Sequence, residues 1–136
     1  MKIKEYQKLI QEISDIDLEA DSIAESRRIL AELNERERIL AELKKRINKD
    51  IQNMELDFLE KKHKINVDYA EGRSVGVISR VRGKSKVKEL KKLQEKYDES
   101  LESYYAMRYI LDELSLQMKK AKNPLNNYIK GRLGGL

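Results

Sequence analysis

The chain is 136 residues long, 40% hydrophobic and 39% charged, with a formal net charge of +5, one proline and six glycines. A charged share so far above the usual quarter belongs to helices with broad solvated faces, and one domain's length leaves room for only a modest core. The absence of cysteine excludes disulfides, thiolate metal sites and cysteine nucleophiles, and the longest apolar run, YYAM at 104–107, is far too short to span a bilayer.

The opening MKIKEYQKLI lacks the continuous apolar core of a secretory signal, so a cytoplasmic protein without membrane insertion is expected. Tyr6, Leu9, Ile13, Ile16, Ala20 and Ile23 then recur at helical spacing. The hexapeptide RILAEL follows twice, at 28–33 and 38–43. Copies ten residues apart point about 80° apart on a straight helix, so the apolar face turns there. Beyond the turn a heptad seam runs through Leu33, Leu40, Ile47, Ile51, Met54, Phe58 and Ile65, interrupted by Glu37, Lys44 and Lys61. This pattern predicts one long helix. A connector, GRSVGVISRVRGKSK at 72–86, carries three glycines. The second seam uses Val87, Leu90, Tyr97, Leu101, Tyr104, Leu111 and Met118, and is expected to stop at Asn123-Pro124, because proline disrupts a helix interior. The predicted fold class is all-α: a long antiparallel helical hairpin, or coiled coil, with a Gly-rich basic tip. It forms a single elongated domain over 1–136, with 1–70 as first arm, 71–86 as connector, 87–122 as second arm and 123–136 as tail.

The arms have unequal lengths. With a turn near Gly76, the second helix runs out opposite roughly residue 32 of the first, where the seam shifts by the three-residue insertion called a stammer. Residues 33–65 are therefore expected to pack on the chain's own second arm and residues 6–23 on something else. A second subunit is the favoured covering, which makes the protein a multi-helix homo-oligomer. Tyr6, Leu9, Ile13 and Ile16, together with the off-seam stripe of Tyr105, Tyr109 and Leu116, are the expected interface residues, since exposed apolar patches mark contacts. The alternatives are a tail that folds back from Pro124, or a break at Ser14-Asp15 or Asp21-Ser22 that lets the N-terminal piece return as a third helix. Ser22 through Glu25 has the form of a capping box.

Basicity is concentrated at the connector. Residues 72–92 carry Arg73, Arg80, Arg82, Lys84, Lys86, Lys88, Lys91 and Lys92 against Glu89 alone, a net +7 in a chain of net +5. Such a cluster suits phosphates, which attract it strongly and without regard to sequence, so these eight residues are the candidate nucleic-acid-binding site for DNA or RNA. No aromatic side chain interleaves them, which argues against stacking on single-stranded bases. Two other readings remain: pairing with the acidic segment 15–25 of a neighbouring chain, and a solvated tip.

No catalytic constellation emerges. GVISRVRGKS at 76–85 has six residues before Gly-Lys-Ser where a P-loop needs four. Asp15, Asp17, Glu19 and Asp21 alternate like a calcium loop, but Ala20 stands where the turn needs glycine. His63 is the only histidine. A non-enzyme without metal or cofactor is expected.

The segment VGVISRVRGKSKVKELKKLQEKY at 75–97 resembles the region of β-type prefoldin subunits where a short β-hairpin leads into the second of two long helices. The resemblance implies a hexameric chaperone gripping unfolded chains between helix ends, although the longer first arm and Gly-containing tail differ from that family. Three functions follow as expectations: a nucleic-acid-binding accessory protein, an oligomeric scaffold or adaptor with protein partners only, and a prefoldin-like holdase.

Overall fold

The computed structural model describes residues 2–71 and 77–134, with side chains for 2–70 and 83–134. Three α-helices, α1 (Ile3–Ser14), α2 (Ile23–Glu71) and α3 (Val77–Gly134), hold nearly all of them, and no strand occurs among the described residues. The chain is all-α, as its periodicity predicts. The β-hairpin implied by the prefoldin resemblance does not form in the part described, because α3 is helical from Val77 onward. One glycine at position 83 costs such a helix only about 1 kcal/mol, too little to end it. Two compact units result: Met1–Ile47 with Ala106–Leu136, and Asn48–Tyr105.

In the first unit, the N-terminal segment does not continue the long helix. Asp15, Asp17, Asp21 and Ser22 favour local side-chain hydrogen bonds over a helical interior, and the chain breaks there: Glu19 N–H donates to Asp17 Oδ1 at 3.0 Å and Asp21 N–H to Glu25 Oε2 at 2.8 Å. Ser22 starts α2 by accepting the Glu25 N–H at 3.1 Å, the capping role its sequence suggests. Upstream of the break, α1 is amphipathic, and its spacing of four and three buries Tyr6, Ile10 and Ile13 within the chain. The expected covering by a second subunit is therefore supplied internally for Tyr6, which is 0% exposed, and for Ile13. Leu9 and Ile16 are half-buried.

Arg36 closes the α1 terminus. Its Nη1 lies 2.6 Å from the carbonyl oxygen of Ile13, 2.8 Å from that of Asp15 and 3.2 Å from that of Glu12. The last carbonyls of a helix lack intrahelical partners and carry the negative end of its dipole, so one guanidinium satisfies several at once.

Across the same unit α2 and α3 run in opposite directions, since Glu37 pairs with Lys122 and Lys44 with Asp112. Glu37 and Lys44 are two of the three residues that interrupt the first seam. The Lys44–Asp112 bond is 2.7 Å long but largely exposed, and such pairs contribute little. The Glu37–Lys122 pair is about four-fifths buried, and Glu37 Oε1 is also buried without a hydrogen-bond partner among the described residues. A pair of this kind specifies register more than it stabilises.

α3 continues through Pro124 to Gly134, where the sequence predicts a stop. An interior proline costs about 3 kcal/mol. Beyond it Leu125 is buried, Tyr128 Oη donates to the Asp21 carbonyl at 3.2 Å, and these contacts offset that cost.

In the second unit the two helical segments also pair in opposite directions. Phe58 and Tyr97 stack with centroids 4.4 Å apart, and Tyr69 Oη donates to Ser85 Oγ at 2.9 Å. Met54, Ile65, Leu90 and Leu93 are half-buried beside them. With two helices and no third, none of this unit's described residues is fully covered.

Candidate polyanion interface

Five of the eight basic residues singled out by composition have described side chains: Lys84, Lys88, Lys91 and Lys92 are exposed and Lys86 is half-buried. Arg73 lies outside the described residues, as do the side chains of Arg80 and Arg82. At 100° per residue, Lys84, Lys88, Lys91 and Lys92 fall within an arc of about 100°, opposite the arc of Leu90, Leu93 and Tyr97 that packs on α2. The stripe therefore faces solvent. Lys86 falls on the packed side, consistent with its being half-buried. None of the five makes an ion pair with another described residue, in contrast to α2, where Arg28–Glu32, Glu35–Arg38 and Asp57–Lys61 pair along the helix.

Three aromatic residues of this unit, Phe58, Tyr69 and Tyr97, are engaged elsewhere. Phe58 and Tyr97 stack on each other, Lys62 Nζ sits 6.0 Å above the Phe58 ring, and Tyr69 is bonded to Ser85. Burial pushes the Tyr97 phenol above its ordinary value, with the negative charge of Glu55 adding to the effect. Phe58, Tyr69 and Tyr97 thus form no exposed stacking platform beside the lysines, whose own chemistry is attraction to negative charge.

An open groove of about 630 Å³ runs beside the stripe over Ile65 and Leu93. Lys61, Lys64, Lys92 and Lys96 line it together with Asp68, Glu89, Glu95 and Glu99. Its charges balance, so it does not extend the basic surface.

Sequence composition misses a boundary. Glu95, Glu99 and Glu102 continue on the same arc as the lysines, and all three are exposed. The outward face of α3 thus switches from basic to acidic within one turn. Spacing carries this signal, but the whole-segment charge of 72–92 conceals it by stopping short.

The expected interface residues outside α1 have different settings. Tyr105, Tyr109 and Leu116 are all exposed, Tyr109 by 66%. His63 is exposed on α2, and no group of three or more His, Cys, Asp or Glu residues suited to a metal ion occurs among the described residues. No helix is long and apolar enough to cross a membrane among them. Compared with known protein families, curated proteins and solved structures, the chain matches none.

Proposed function

We propose that the protein is a non-enzymatic, cytoplasmic coiled-coil hairpin whose basic end binds nucleic acid as an accessory factor. The observation that carries this reading is the solvent-facing stripe of Lys84, Lys88, Lys91 and Lys92 without a carboxylate partner among the described residues. Arg73, Arg80, Arg82 and Lys86 belong to the same segment and add to its field. Like-charged neighbours at i, i+4 destabilise a helix by about 0.2–0.5 kcal/mol each, a cost that bound phosphates remove. Contacts of this kind position a protein on a backbone without reading bases.

The test is a titration of labelled duplex at two salt concentrations. Each phosphate contact contributes about 0.9 to the slope of log affinity against log salt, so replacing Lys84, Lys88, Lys91 and Lys92 by Gln should flatten the slope by about 2 even if only half of them touch phosphates. Equal binding by this variant, or none by the parent at low salt, refutes the reading. A scaffold role is the second reading, favoured by the exposure of Tyr109 and Leu116.

A further inference from the structure

The charges on the outward face of α3 are segregated rather than alternated. Lys84, Lys88, Lys91 and Lys92 occupy one stretch, and Glu95, Glu99 and Glu102 occupy the next on the same arc. A solitary helix gains from opposite charges three and four residues apart and loses from like charges at that spacing. Here Lys84 neighbours Lys88, Lys88 neighbours Lys92, Glu95 neighbours Glu99, and Glu99 neighbours Glu102. On α2, by contrast, opposite charges pair at that spacing in Arg28–Glu32 and Asp57–Lys61. Where the blocks meet, Lys91 and Lys92 each have Glu95 at favourable spacing, but within each block segregation costs the isolated helix, and a surface of matching pattern offsets that cost.

One surface with that pattern is on the page, namely the same face turned end for end. We infer that two copies of the chain associate antiparallel through this outward face of α3, about a two-fold axis lying between Lys92 and Glu95. That axis sets Lys92 opposite the second copy's Glu95, Lys88 opposite its Glu99 and Lys84 beside its Glu102, each contact repeated by symmetry. Val87 is 65% exposed at the edge of the same face and supplies an apolar margin. Because exposed ion pairs contribute little individually, the dimer is weak and salt-sensitive, its register chosen by charge complementarity. The lysines it covers are those of the proposed duplex site, so a second copy and a duplex compete for one face. The competition rests on the polyanion reading; the self-association does not.

Charge reversal with mixing tests it. One variant carries Lys84→Glu, Lys88→Glu and Lys92→Glu, the other Glu95→Lys, Glu99→Lys and Glu102→Lys, and circular dichroism checks that both keep their helices. The parent's solution mass should rise with concentration at 0.1 M salt and fall at 1 M, where the Debye length shrinks from about 10 Å to about 3 Å. Each variant alone should lose this association, and an equimolar mixture should restore it. The Gln versions of both sets should lose it as well. With duplex DNA as probe, the second variant should bind more tightly than the parent, its salt slope steeper by about 0.9 per added phosphate contact.

A parent whose mass is unmoved by concentration at low salt, or a mixture that does not associate, overturns the inference. If that parent still binds duplex, the polyanion reading stands alone. A charge-dependent dimer that ignores duplex has the converse meaning.

Discussion

Arg36 holds more of the first unit together than its place on a charged helix suggests. Its guanidinium reaches three carbonyls at the end of α1, and hydrogen bonds involving a charged group are worth about 1.5–3 kcal/mol. Arg36→Ala should lower stability by about that amount, and amides of residues 3–14 should exchange with solvent faster than in the parent. Arg36→Lys should lose less, since an ammonium keeps the charge but not the planar fork. Unchanged exchange in α1 would show that Tyr6, Ile10 and Ile13 suffice. Nothing in the sequence around position 36 announces this role, because the acceptors lie more than twenty residues away and become available only once α1 has ended. The helix it caps was easier to read: Tyr6 and Ile13 have the spacing of a buried face, and what sequence left open was whose surface would bury them. Glu37 and Lys44 likewise stand out as breaks in an apolar seam, yet their partners Lys122 and Asp112 appear only when α3 lies alongside.

Pro124 shows how tertiary contacts can override a local rule. Its ring removes one backbone donor from the interior of α3, and the helix proceeds for ten more residues to Gly134 because Leu125 and Tyr128 are anchored beyond it. Since Pro124 is itself exposed, Pro124→Ala should restore the missing bond without disturbing packing and stabilise the protein by up to about 3 kcal/mol, seen as a higher melting temperature by circular dichroism. A lower one would mean that the ring contributes contacts of its own. The apolar seams were legible through Leu33, Leu40, Ile47, Leu111 and Met118, all buried, because a heptad spacing is a property of the helix alone. The start of α3 was not, since Gly83 and the lysines after it have no apolar period to read. The lysine stripe was visible as composition, whereas its outward direction required knowing which arc Leu90, Leu93 and Tyr97 occupy.

For the chain as a whole, exposed aromatic and aliphatic groups bear on assembly. Tyr109 and Leu116 are 66% and 46% exposed on α3, and replacing both by Glu should leave helicity intact while lowering the solution mass if they meet another subunit. A parent that is already monomeric at tens of micromolar, within the usual range of protein affinities, in 1 M salt, where the charged face is screened, would retire that apolar contact. The uneven distribution of burial has a thermodynamic consequence. Among the described residues, all twelve buried apolar side chains belong to the unit of Met1–Ile47 with Ala106–Leu136, and apolar burial is the source of the heat-capacity change on unfolding. Cooperative melting is thus a property of that unit, while Asn48–Tyr105 opens at lower free energy, the end of the stability spectrum from which ligand-binding segments are drawn. Any anion seated on Lys84, Lys88, Lys91 and Lys92 acts on that less protected unit, and the free energy of its binding becomes resistance to local opening.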